Sequence, residues 1–492
     1  MEVNVNSANI PNVIRNYING EWVSSSSDEF LDIINPATGD VISQTPLSTS
    51  EEFNSAVQTA KDAFPSWRRT PPVVRARYFF KLKDLMEKNF EDLSRILTME
   101  NGKTLIESKG SVRRGIENVE VACGMPTTMQ GDSLEDIAEG IDCTVFRQPM
   151  GVFGCITPFN FPAMVPLWFF PCAVACGNTF VVKPSEQTPL SQIRIFELVE
   201  EAGFPPGVIN LVNGDKECAN AMLDHPEIKG VSFVGSSHVA AYVYRRASEN
   251  GKRVQALGGA KNFSIVMPDA DIDKTVAALT DSAFGCAGER CLATAIVLAV
   301  GDVYDELKGK LVDAAKGLKV GNGLDESVTM GPVISAEHKE RVIGYIEQGV
   351  KEGAQLLLDG RDIRVGDHPN GFYVGPTIFD NITPEMVIAK EEIFGPVLGI
   401  MRVESLDEAL DIIHGNEYGN ASSIFTTSGA AARKFRHEVG ISMLGINIGI
   451  AAPMAFFMFG GSRGSFFGDL KAYGRDGVEF YTEKRVVIER WF

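Results

Sequence analysis

The chain has 492 residues, 44 % hydrophobic and 22 % charged, a length that suggests about three domains, each able to bury its own core. Its net charge of −18 excludes nucleic acid and anionic membrane as main partners, so an anionic substrate must be captured by local arginines against the overall field. The eight cysteines (123, 143, 155, 172, 176, 218, 286 and 291) form no C-x-x-C pair, and the six histidines are scattered. Neither a metal site nor a disulfide framework is expected, and a reducing, cytoplasmic setting is.

Residues 1–16 hold no apolar core of signal-peptide length, so no targeting segment is expected. Residues 50–100 read as helical. Phe53, Ala56, Val57, Ala60, Ala63 and Phe64 keep a 3,4 spacing, and Thr49 with Glu52 forms a candidate capping box. Pro71-Pro72 separates this helix from a second, whose stripe is Leu82, Met86, Phe90, Leu93 and Leu97. Gly102-Lys103-Thr104 ends like a phosphate loop, but Leu97 stands where the first glycine is required, which leaves a helix-end turn. From Met150 to Val182 run 33 residues without a charged side chain. Pro158, Pro162, Pro166 and Pro171 interrupt the run, so it reads as buried core and cleft lining, not as a membrane span.

From about residue 178 strands and helices alternate. Strands are expected at 179–182, 208–212, 230–234, 253–256 and 263–267, with helices near 189–202, 216–224 and 238–249. The rhythm predicts an open parallel sheet with helices on both faces. No G-x-G-x-x-G fingerprint accompanies it. The alternation resumes after 290, with strands at 294–299, 385–389 and 397–402 and helices at 303–316 and 341–352. The chain ends in a short charged strand, 483–489, suited to an edge or a subunit contact.

Five local strings carry candidate chemistry. Cys291 follows Gly288-Glu289-Arg290, and an adjacent guanidinium favours the thiolate, the form that attacks carbonyls. In Thr157-Pro158-Phe159-Asn160-Phe161-Pro162 an amide braced by prolines can donate to a developing oxyanion, although Asn160 alone is more often a turn residue. In Lys183-Pro184-Ser185-Glu186-Gln187 the Glu186 carboxylate at a strand end can accept both hydroxyls of a ribose and repel a 2′-phosphate, which points to NAD over NADP. Its bland reading is a capped loop. Phe233-Val234-Gly235-Ser236-Ser237 runs a strand into a helix N-terminus whose free N–H groups suit a pyrophosphate, a junction common by itself. In Glu391-Glu392-Ile393-Phe394-Gly395-Pro396 Glu392 can hold a second ribose and Phe394 can pack beside a nicotinamide; in isolation the string is an acidic turn.

In this order, these strings resemble the aldehyde dehydrogenase superfamily, over almost the whole chain from Asn16-Tyr17-Ile18-Asn19-Gly20 onward. Three strings are similar to the CoA-acylating methylmalonate-semialdehyde dehydrogenase branch: Arg253 to Asn262, Gly288-Glu289-Arg290-Cys291, and Gly464-Ser465-Phe466-Phe467-Gly468-Asp469-Leu470. The resemblance implies an α/β, aldehyde dehydrogenase-like fold of two doubly wound domains plus a small β oligomerisation arm. Residues 1–130 and 152–262 would bind NAD, 263–470 would carry the nucleophile, and 131–151 with 471–492 would form oligomerisation strands of a dimer or tetramer. It implies Cys291 as nucleophile and Asn160 as oxyanion donor, with Arg114 and Arg290 on a substrate carboxylate. Arg290 is tethered beside Cys291, so connectivity predicts that it reaches the substrate. Arg113-Arg114 alone reads equally as a solvated helix pair. NAD contacts would come from Thr157, Phe159, Lys183, Glu186, Gln187, Ser236, Gly258 and Glu392, with no metal. Hydrolytic relatives place a glutamate before Leu-Gly-Gly to activate water; here Ala256 stands there. A methyl relays no proton, whereas a thiol ionises unaided near pH 8.5, so coenzyme A is the expected acyl acceptor for malonate or methylmalonate semialdehyde. Glu289 is the candidate substitute base of a hydrolytic alternative, and a non-catalytic dinucleotide-binding protein is the third reading.

Overall fold

The computed structural model describes residues 10–492; residues 1–9 of the stretch read for a leader lie outside it. Two sheets organise the chain. The first has eight strands in the order Glu21–Val23, Asn16–Ile18, Ile209–Leu211, Thr179–Lys183, Val152–Ile156, Ile228–Val234, Arg253–Leu257, Phe466–Gly468. Its five central strands are parallel. Val152–Ile156 and Thr179–Lys183 are buried at every position, the mark of strands covered by helices on both faces. The second sheet runs Gln355–Leu358, Thr377–Asp380, Val397–Val403, Thr294–Val300, Asn262–Val266, Ala421–Phe425, Met443–Ile446, with only its first strand antiparallel. The segment expected to carry the nucleophile, 263–470, hands its last strand, Phe466–Gly468, back to the first sheet by antiparallel pairing with Arg253–Leu257.

A third sheet stands apart. Thr482–Arg490 pairs antiparallel along its whole length with Ile141–Pro149, which also pairs with Ser133–Ala138. Val486, Ile488, Leu134 and Phe146 on these strands are exposed. No helix among the described residues is long and apolar enough to cross a membrane, and no group of three or more metal-ligating side chains occurs among them.

Local signals account for most boundaries. Ser50–Trp67 is capped by Thr49 and Glu52 in a reciprocal box, and Pro72 opens the next helix. That second helix does not run through to Leu97. It ends at Lys88, and a separate helix, Phe90–Asn101, follows, because Asn89 leaves the helical conformation and turns its amide onto Leu85 O at 2.8 Å. Gly102 closes the third helix at φ +90°, the helix-end turn expected there. One expectation is wrong in type: 385–389 is not a strand but contributes to the short helix Val387–Lys390. Its apolar run, Met386 to Ala389, is four residues long, and the Val387 N–H is capped by Glu352 Oε2 at 2.8 Å.

Candidate active site

The carboxyl ends of the first sheet's parallel strands open into a cleft of about 1190 Å³ facing the second sheet, where ligands of open α/β sheets bind. Ten of the twelve residues singled out from the sequence line it: Thr157, Phe159, Asn160, Lys183, Glu186, Gln187, Ser236, Gly258, Cys291 and Glu392. Lys183 is pinned at its strand end, donating from Nζ to Pro184 O (2.8 Å) and to Glu186 Oε2 (3.1 Å). Ser236 precedes the helix Ser237–Glu249 and its hydroxyl makes no capping bond, leaving the first-turn N–H groups directed at the cleft. Gly258 and Gly259 form a close crossing: a Cβ on the first would lie 2.7 Å from Ser237 Oγ, and on the second 2.4 Å from Glu392 Oε2. Glu392 itself accepts the Ala260 N–H at 2.9 Å. Burial pushes its carboxyl up to about 7, against the pull of Lys261. A cradle without side chains, a free helix N-terminus and a carboxylate at either end suit a dinucleotide.

Asn160 and Cys291 meet at the inner end. Asn160 Nδ2 donates to Glu289 O at 2.9 Å, while Asn160 O accepts from Lys103 Nζ. That ammonium also stands 3.8 Å above the Phe161 ring. Three left-handed residues, Cys286 (φ +50°), Ala287 (φ +51°) and Gly288 (φ +75°), precede the nucleophile segment, and a Cβ on Gly288 would meet Gly395 O at 2.1 Å. Cys291 O is gripped by the amides of Asn262 (2.9 Å) and Asn420 (2.7 Å). The expectation that the neighbouring guanidinium makes Cys291 a ready thiolate does not hold in this geometry. Burial, then the Glu392 charge, push the thiol up to about 12, and Arg290 offsets them only weakly.

The two arginines assigned to a substrate carboxylate are not cleft-lining residues. Arg114 donates to Glu117 Oε2 at 3.0 Å and touches Met454 Sδ at 3.0 Å. Arg290 is turned away from Cys291, donating to Cys286 Sγ (3.3 Å), Asp281 O (3.2 Å) and Glu107 Oε1 (3.4 Å). Sequence adjacency therefore does not deliver its guanidinium to the cleft, because the chain turns at Arg290–Ala293 and its partners on Asp281, Cys286 and Glu107 hold the guanidinium on the other side.

Residues 22–487 match the model of the aldehyde dehydrogenase family. The chain belongs to that family. It is an oxidoreductase that acts on aldehydes. It is 54 % identical over 479 residues to a malonate-semialdehyde dehydrogenase of Geobacillus kaustophilus, covering 97 % of this chain and 99 % of that one. It is 53 % identical over 478 residues to a malonate-semialdehyde dehydrogenase of Halalkalibacterium halodurans, covering 97 % and 98 %. Among solved structures, a methylmalonate-semialdehyde dehydrogenase from Oceanimonas doudoroffii superposes with a TM-score of 0.96 at 48 % identity, covering 98 % and 99 %. A protein from Sinorhizobium meliloti described as a methylmalonate-semialdehyde dehydrogenase complexed with NAD gives 0.96 at 43 %, covering 97 % and 98 %.

Within this aldehyde dehydrogenase, Ala256 is fully buried in Arg253–Leu257, paired with Phe233 and Phe467. Glu289 does not line the cleft. Its carboxyl accepts the Ile334 N–H (3.1 Å) and lies 3.4 Å from His338 Nε2, and burial raises it to about 8. Four residues not singled out from the sequence complete the site. Lys103 supports Asn160 from beneath. His338 donates to Phe394 O at 2.7 Å and packs edge-on against Phe159. Arg341 donates to Glu392 O (3.0 Å) and Ile393 O (2.9 Å), fixing the loop that presents Glu392. Trp168 walls the cleft beside Cys291. The sequence hinted at two of them: Arg341 in the helix expected at 341–352, and Trp168 in the uncharged run 150–182 read as core and cleft lining.

Proposed function

We propose that this enzyme oxidises malonate semialdehyde and methylmalonate semialdehyde with NAD, and passes the acyl group to coenzyme A with loss of the substrate carboxylate as carbon dioxide. The observation that carries this reading is that Cys291 and Asn160 line one cleft while Ala256, buried in its strand, stands at the sequence position of a hydrolytic base and Glu289 is turned aside. The named relatives support the substrate class.

A bound NAD supplies the hydride acceptor. Thr157, Phe159 and Phe394 border the reacting end, Ser236 and the Gly258 backbone the pyrophosphate, and Lys183, Glu186, Gln187 and Glu392 the ribose hydroxyls. Cys291 loses its proton and its sulfur adds to the aldehyde carbon. The oxygen, now negative, is held by the second N–H of Asn160 Nδ2 and the Cys291 N–H. When the carbon gives up its hydride, the oxygen collapses to a carbonyl and leaves a thioester on Cys291. Arg114 and Arg290, held off the cleft by Glu117 and Glu107, turn toward the far carboxylate to bind it bidentately. Loss of that carboxylate as carbon dioxide and protonation of the carbon leave an acetyl or propionyl thioester. The coenzyme A thiolate then displaces Cys291, giving acetyl-CoA or propionyl-CoA.

The proposed division of labour places NAD on 1–130 and 152–262 and the nucleophile on 263–470, in a cytoplasmic dimer or tetramer joined through 131–151 and 471–492. The test is NADH production from malonate semialdehyde with and without coenzyme A. Strong dependence on coenzyme A and a thioester product by mass spectrometry support the reading. Full turnover to free acid without it supports hydrolysis, and no NADH in either case a binding protein.

A further inference from the structure

The helix Leu105–Cys123 carries Glu107, Arg114 and Glu117, and these two glutamates occupy both arginines of the proposed carboxylate clamp. Glu107 and Arg114 are seven residues apart, so they share one face about 10 Å apart along the axis. Glu107 is committed at both oxygens. Oε2 accepts the Thr104 N–H at 2.8 Å within the helix's own capping box. Oε1 accepts the Cys286 N–H at the start of the left-handed turn, and Arg290 Nη2 at 3.4 Å. Both side chains are nearly buried, Arg290 at 13 % and Glu107 at 9 % exposure. The guanidinium lies flat against Gly285, where a Cβ would fall 2.5 Å from Nη1. Arg290 is thus stored against a carboxylate one residue from the nucleophile, outside the cleft.

We infer that Glu107 is a placeholder carboxylate for Arg290, exchanged for the carboxylate of the substrate when an acidic aldehyde enters. The inference rests on the reading of Arg290 as a substrate clamp. Exchange of one carboxylate for another leaves the guanidinium paired throughout, so no step exposes it unpartnered in a low-dielectric site. A neutral aldehyde has nothing to offer in exchange and leaves the pair closed. Glu107 thereby sets how strongly an anionic aldehyde must bind to claim Arg290, and acts as a positioning residue for specificity.

Glu107→Gln tests this by removing the charge, although its single amide oxygen keeps only one of the two bonds, either the Thr104 N–H of the capping box or the Cys286 N–H. The readout is the ratio of KM for propanal to KM for malonate semialdehyde. The ratio is expected to rise about threefold or more in E107Q, as a nearly buried competing ion pair is lost. An unchanged or lower ratio overturns the placeholder role. Glu107→Asp, which keeps the charge one methylene further back, carries the test should E107Q not fold: its ratio rises less than threefold yet stays above wild type, and a ratio at or below wild type overturns the inference. Arg290→Gln separates the two layers. If R290Q leaves the ratio unchanged, the clamp reading falls and this inference with it. If R290Q lowers the ratio while E107Q fails to raise it, only the placeholder role is overturned.

Discussion

Cys291 begins as a protonated thiol at the wall of the cleft. Burial and the Glu392 carboxylate both favour the neutral form, so alkylation of the free enzyme by iodoacetamide is expected to keep accelerating past pH 9 without a plateau. At fixed pH 8, Glu392→Gln is expected to react several-fold faster, because it deletes the second cause of the raised pKa. Mass spectrometry of the labelled peptide checks both. Cys291→Ala is expected to abolish turnover while leaving NAD binding measurable by calorimetry. Glu289 gives a prediction of opposite character. Its carboxyl is raised from 4.5 to about 8, so between those values the unfolded chain has released a proton that the native state keeps. That stabilisation is fully present at low pH and is lost as pH rises through 8. Glu289→Gln is therefore expected to lose less of its Tm between pH 5 and pH 8 than wild type, by about 2 °C, in parallel calorimetric scans. Residues such as Cys291, Asn160 and Glu392 were legible in the sequence because each stands in a dense local string. Lys103 and Glu107 were not, since their chemistry depends on Asn160 and Cys286, 57 and 179 residues away. On its own helix a charged side chain reads as a solvated face.

Among the elements, the parallel strands were the most readable, because burial on both faces writes them as unbroken apolar runs between turn residues. The helix start at Thr49 was readable because a capping box marks it, whereas the helix expected at 341–352 starts at Ala336, capped by Ser335 without a box. The errors lie where periodicity survives a backbone break, as across Asn89, or where an apolar run is too short to choose its own conformation, as at Val387–Lys390. The left-handed turn at Cys286–Gly288 left no trace in periodicity, since glycine and alanine are compatible with many turns. Its geometry is demanding. Gly288→Ala introduces a Cβ at φ +75° within 2.1 Å of Gly395 O, so it is expected to displace Cys291 from its grip between Asn262 and Asn420. A loss of about a hundredfold or more in kcat is expected, with a lowered Tm. Wild-type kcat in G288A would show that the turn does not position the nucleophile.

At the scale of the whole molecule, the arm formed by Ser133–Ala138, Ile141–Pro149 and Thr482–Arg490 exposes apolar side chains that a single chain leaves unburied. The double substitution Val486→Lys and Ile488→Lys is expected to shift the mass measured by light scattering toward the single chain, since both residues lie on one face of the strand. An unchanged mass would remove this face from the subunit contact. The charged C-terminal strand was readable from the residues as an edge; its partner segment came only through the family resemblance, which set 131–151 beside 471–492, because strand pairing across more than three hundred residues is decided by the finished fold.

The return of Phe466–Gly468 to the first sheet has a mechanical consequence. The chain crosses between the two sheets near residue 260 and again on the way to residue 466, so the cleft is straddled by two tethers instead of one. A body strapped twice resists swinging open about either strap, and the span from sulfur to dinucleotide is fixed when the protein folds, before any aldehyde arrives.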